Sequence, residues 1–156
     1  MNAPFAPLLA AGLVAALGYA AWRDLSERII PNWLNAGIAL AAPAWWWATG
    51  YALWPDVPLQ ILLGAGLFAL FAGAFMIGAM GGGDVKLIAA LGLWLPLQPM
   101  MGLLFLMSLA GGAVTLATVA HHRWRRAEGR PEIPYGLAIS AAGVWVISQR
   151  YIYHFA

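Results

Sequence analysis

Long uncharged runs, broken by short clusters of charge, dominate the pattern of this chain. Met1 to Trp22 contains no Asp, Glu, Lys or Arg, and neither do Trp33 to Pro55, Val57 to Gly83, Leu87 to His122 or Ile133 to Gln149. Runs of ~20 apolar residues match the length of a membrane-crossing helix. Leu87 to His122 is too long for one crossing and contains Pro96 and Pro99. It divides into a short helix from about Asp84 to Leu95 and a full one from about Met100 to Ala120. The pattern predicts an all-α polytopic membrane protein of about six transmembrane helices. Residues 1–156 form a single domain, with no internal repeat or linker. The fourth helix is undersized, because about eleven or twelve residues at ~1.5 Å each cover only half of a ~30 Å hydrocarbon core. Either it continues through Pro96 with a kink, or it is recessed inside the protein.

Composition narrows the class further. The chain is 63% hydrophobic and 9% charged, against roughly 45–50% and about 25% for soluble domains. That balance excludes a soluble globule, and the apolar content excludes disorder. The absence of cysteine removes disulfides, thiolate metal sites and cysteine nucleophiles from consideration. A net charge of +2, scattered along the chain, gives no footprint for nucleic acid.

The basic residues also set an orientation. Arg23, Arg28, Lys86, Arg123, Arg125, Arg126 and Arg130 fall in three connections that share one side of the membrane, whereas the segments around Asp56 and Pro96–Pro99 carry none. The positive-inside rule puts the basic side in the cytoplasm, giving an N-out/C-out protein with Arg150 as the exception. Trp22, Trp33, Trp54 and Trp94 fall near span ends, as aromatic belts do. The first run lacks a basic start and Arg23 follows it, so it reads as a retained helix, not a cleaved signal peptide.

With six carboxylates, each can be weighed singly. Asp56 reads as a turn residue. Glu128 and Glu132 pair with arginines in the loop His121–Pro134, and Glu27 sits beside Arg28 in the first basic loop. Asp84 differs: it ends Gly81-Gly82-Gly83-Asp84 between two apolar runs. Successive glycines allow unusual backbone conformations or close approach by another segment. An ionisable group at membrane depth is a functional candidate, although a helix cap would explain Asp84 as well. Asp24, two residues past Trp22, reads alone as an interfacial residue, but it shares the cytoplasmic side with Asp84. Two carboxylates brought together in a low-dielectric site cannot both ionise readily and share a proton. The ionised member activates water while the protonated one polarises a carbonyl, which hydrolyses a peptide bond without metal or cofactor. His121, His122 and His154 are too dispersed for a metal site. No Walker spacing or strand–turn–helix context supports nucleotide binding.

Three segments resemble the prepilin peptidases (type IV leader peptidases), which are membrane-embedded aspartic proteases of the GxGD type. Asp24-Leu25-Ser26-Glu27-Arg28-Ile29-Ile30-Pro31-Asn32 resembles the family's first-aspartate segment. Gly81-Gly82-Gly83-Asp84-Val85-Lys86 fits GxGDxK, and Ile133-Pro134-Tyr135-Gly136 resembles the Pro-Tyr-Gly motif that opens the last span. The resemblance implies that Asp24 and Asp84 are the catalytic pair and that no cofactor is needed. It also implies a bacterial inner-membrane location and prepilin substrates, with a basic leader and a hydrophobic helix, cut at the cytoplasmic face after a glycine. Gly81, Gly83, Lys86, Asn32, Pro134, Tyr135 and Gly136 take supporting or substrate-binding roles. Each also has a plainer reading: Lys86 as a snorkelling lysine, Asn32 as the cap of the second span, Pro134 as a helix start. The chain resembles the short form tied to Flp/tight-adherence pili, without the methyltransferase region or a cysteine-rich loop, and Leu137 stands where longer enzymes often have proline. Two other classes remain open from the residues alone. One is a small transporter or channel using Asp84 in a glycine-broken helix; the other is an assembly subunit whose basic loop docks a partner or anionic lipid.

Overall fold

Prolines and glycines cut the chain where the helices end. The computed structural model describes residues 5–124 and 135–155, and these form six helices and no strand. Helix α1, Phe5–Glu27, stops at Arg28, whose φ of 57° is left-handed. Pro31, extended, precedes α2, Asn32–Thr49, which ends on left-handed Gly50, whose N–H bonds back to Trp46 and Trp47 carbonyls. Pro55 precedes α3, Asp56–Met76, and Gly81 precedes α4, Gly82–Gly92. Helix α5, Leu97–Trp124, follows Pro96 and holds Pro99 in its first turn, where a missing N–H costs nothing. Helix α6 is Tyr135–Phe155.

Three of the helices are long and apolar enough to cross a membrane, over Phe5–Glu27, Asp56–Met76 and Leu97–Ala120. Tyr135–Gln149 is a shorter apolar stretch. The expected short fourth helix is present, at 11 residues. It does not run on through Pro96. Asp24, expected at the inner end of the first span, lies in the last turn of α1, which continues five residues past Trp22.

Helix α4 is the core of the assembly. It packs along α3, touches α2, α6 and α5, and α1 closes the arrangement against α2 and α6. Asp84, Val85, Leu87, Ile88, Ala90, Leu91 and Gly92 are all buried and Lys86 alone is exposed, the burial of a central helix. Its contact with α3 depends on glycine at both positions. A Cβ on Gly92 would stand 2.6 Å from Leu67 Cδ1, and one on Gly64 would stand 2.7 Å from Leu93 Cδ2. Small residues let membrane helices approach this closely. Outward faces carry exposed Leu62, Phe68, Leu70, Phe105, Leu109 and Leu116, the surface that lipid requires.

At ~1.5 Å per residue, 11 residues extend ~16 Å, so α4 ends well short of a full crossing. Its terminal carbonyls then need donors, because in an apolar medium each unsatisfied group is costly. Gln60 Nε2 donates to Gly92 O at 2.7 Å and to Leu95 O at 2.6 Å. Trp46 Nε1 donates to Leu93 O at 2.7 Å and Trp45 Nε1 to Trp94 O at 3.1 Å. Trp94 is 2% exposed, stacks on Trp45 and donates to Ile38 O at 2.8 Å. Trp94 is therefore not a belt residue; its indole is used inside the protein. Trp22, Trp33 and Trp54 are exposed, as a belt requires.

Candidate active site

Helices α1, α4 and α6 bring the two aspartates to the same end of the bundle. Asp84 is the third residue of α4, where a carboxylate can reach back to the N–H of the cap residue. The Gly81 N–H is directed towards it, and a Cβ on Gly81 would crowd Asp84 Oδ2 at 2.9 Å. The capping reading of Asp84 is thus correct for one oxygen. The other, Oδ1, is buried and has no hydrogen-bond partner. A capping residue in a sealed core leaves no such acceptor unpaired without a reason.

Asp24 caps a helix as well, but one far away in sequence. Its Oδ2 accepts the Leu137 N–H at 2.9 Å, with the Gly136 N–H also directed to it. These are orphan donors of the first turn of α6. A Cβ on Gly136 would lie 2.9 Å from Asp24 Cγ, so only glycine permits this approach. The Arg28 guanidinium acts on Asp24 from the link after α1. Two helix N-termini, each worth ~+0.5 of an elementary charge, therefore converge on two carboxylates. The carboxylates are close enough for the charge of Asp24 to act on Asp84. They are 6% and 7% exposed.

The supporting residues divide. Gly83 and Gly136 both face Ile30, which is 3.1 Å (Cβ) and 2.7 Å (Cδ1) from where their Cβ atoms would stand. None of Gly81, Gly82 and Gly83 has a positive φ, so close approach, not unusual backbone conformation, is what these glycines provide. Lys86 Nζ donates to Asn32 Oδ1 at 2.7 Å, joining the GxGDxK segment to the start of α2. Asn32 is therefore not a helix cap; Pro31 holds that position. The Tyr135 ring lies against Gly111 on α5. Pro134 and the loop carrying Glu128 and Glu132 lie outside the described residues. Glu27 pairs with Arg23 at 2.6 Å and Asp56 Oδ2 accepts the Ala52 N–H at 2.9 Å, the unremarkable roles expected of them.

Two residues at the site escaped the sequence pattern. Ile30 fills the space between α4 and α6, and Asn35, 4% exposed, donates from Nδ2 to Gly83 O at 3.1 Å. Asn35 stands one turn from Asn32 inside an uncharged run, and a neutral amide there was the available signal. Among the described residues no group of three or more His, Cys, Asp or Glu side chains is placed to hold a metal.

Comparison with protein families gives a match over residues 11–116 to the type IV leader peptidase family. That stretch includes both aspartates and Gly81, Gly82 and Gly83, and ends before Gly136. Comparison with curated proteins and with solved structures gave no match.

Proposed function

The chain belongs to the type IV leader peptidase family, and we propose that it is an aspartic endopeptidase removing the leader of type IV or Flp-type prepilins. Cleavage takes place at the cytoplasmic face of the bacterial inner membrane, in an N-out/C-out protein whose arginine-rich connections face the cytoplasm. Asp24 and Asp84 are the catalytic pair.

One observation carries this reading. Two aspartates 60 positions apart are buried together, Asp84 on the first turn of α4 and Asp24 against the first turn of α6, and one keeps an unpaired oxygen. A proton shared by such a pair does two jobs. The ionised carboxylate takes a proton from water as its oxygen attacks the scissile carbonyl carbon, while the protonated carboxyl donates to the carbonyl oxygen. As the tetrahedral intermediate collapses, the second carboxylate takes back a proton from one of its hydroxyls, the C–N bond breaks, and the departing amine takes the proton held by the first carboxylate. Peptide and water yield a carboxylic acid and an amine, with the pair restored. The helix ends stabilise the charge that remains on the pair. Lys86 and Asn32 tie α4 to α2 beside it, and Gly83 and Gly136 let the two helix ends approach.

Family membership favours a peptidase over a transporter or channel lined by Asp84, and over a docking subunit. The test is processing of a tagged prepilin in membranes. Asp24→Ala and Asp84→Ala proteins should insert normally and leave the precursor uncut, and normal processing by either variant refutes the assignment.

A further inference from the structure

The link between α1 and α2, residues 28–31, holds a side chain that this mechanism does not use. Ile30 is 6% exposed and sits between the first turns of α4 and α6. Its Cβ and its carbonyl oxygen are 3.1 and 3.3 Å from where a Cβ on Gly83 would stand. Its Cδ1 is 2.7 Å from where a Cβ on Gly136 would stand, a point also 2.9 Å from Asp24 Cγ. The two glycines form a slot, and isoleucine fills it. Asp84 directly follows Gly83, and the N–H that holds Asp24 directly follows Gly136. A peptide bond attacked by the pair must therefore lie along this slot. Both carboxylates are sealed in this arrangement, Asp84 Oδ1 completely, so a polypeptide reaches them only after Ile30 leaves.

We propose that the Gly83–Gly136 slot is a substrate side-chain subsite which the resting protein fills with its own Ile30. An aliphatic side chain flanking the scissile bond displaces Ile30 and takes its place. The inference rests on the peptidase reading above. The slot is closed by an aliphatic group and two glycines with the Asp24 carboxyl at its edge, so an acidic side chain would lose its hydration there without a partner. Ile30 is separable because it belongs to a short non-helical link. Arg28 at its start is left-handed, and Pro31 at its end is extended. Rotation at these positions moves Ile30 while α1, α4 and α6 keep their packing.

The chain has no cysteine, so Ile30→Cys introduces a unique thiol. Its reaction with a small maleimide is measured in membranes with and without a tagged prepilin, in the Asp84→Asn background, which holds substrate uncut. An open state populated at 0.1–10% implies that bound substrate accelerates labelling by at least ~tenfold. A fixed wall behaves oppositely: substrate shields it, so slower or unchanged labelling overturns the proposal. A second measurement needs no substrate. Carbodiimide coupling of glycine ethyl ester to Asp24 and Asp84, read by mass spectrometry, should rise several-fold in Ile30→Ala and less in Ile30→Val. Glu27, exposed in the wild type, serves as the unchanged control. No rise at either aspartate overturns the proposal even if no prepilin is processed, whereas failure of the wild type to cut prepilin overturns only the peptidase reading.

Discussion

The two ends of α4 are opposites. At its C-terminal end, the carbonyls of Gly92, Leu93, Trp94 and Leu95 each receive a side-chain N–H from Gln60, Trp46 or Trp45. At its N-terminal end, Asp84 Oδ1 is buried and unpaired, its neighbours are glycines, and a second carboxylate lies close by. One helix of 11 residues thus has a saturated end and an unsaturated one. Saturation holds the helix in place; the incomplete end has bonding capacity left for a reaction. The same physics of orphan backbone groups governs both, and what differs is whether the partners were supplied.

Variants at the two ends should fail in different ways. The largest effect is expected from Asp84→Asn, which preserves an acceptor for Gly81 N–H but removes the acid. Prepilin processing should fall at least ~10³-fold, the scale of a lost general acid–base group, with thermal stability nearly unchanged. Gly136→Ala comes next: its methyl meets Ile30 and Asp24 at 2.7 and 2.9 Å. Overpacking of this kind costs about 1–3 kcal/mol, and cleavage should drop more than the melting temperature suggests, because the methyl moves a carboxylate.

Gln60→Leu attacks the opposite end. It leaves the Gly92 and Leu95 carbonyls without their donor, at about 1–3 kcal/mol each. Detergent-solubilised protein should melt at lower temperature while the folded fraction cuts prepilin at the normal rate. Loss of rate without loss of stability in this variant would erase the division between the ends. Smallest is Lys86→Met, which keeps the apolar stem and breaks an exposed bond to Asn32. A cost of about 0–1 kcal/mol follows, and cleavage should change by no more than a few-fold.

Scarcity of charge made much of this legible beforehand. Uncharged runs located the helices, Pro96 and Pro99 divided the longest run, and elimination among six acids left Asp24 and Asp84. What stayed hidden has a common cause. Gln60, Trp45 and Trp46 sit inside apolar runs and act on carbonyls 32 to 49 positions away, so no local spacing announces them. A tryptophan near a span end looks the same whether it faces lipid or, like Trp94, an interior carbonyl. Ile30 lies within the first-aspartate segment, yet an isoleucine carries no chemical signal until two glycines from distant helices close on it. The glycines themselves were noticed, but their reason, contact and not conformation, needed three dimensions.

The saturated end of α4 also bears on the position of the proposed active site. Spanning helices such as α3 adjust to a thicker or thinner bilayer by tilting. Helix α4 has no such dependence, since its upper end is clamped to Gln60, Trp45 and Trp46 within the protein and not to the lipid interface. The drop from that clamp to Asp84 is a fixed number of helical turns. Protein architecture, not membrane thickness, sets the height of the two aspartates, the proposed catalytic pair.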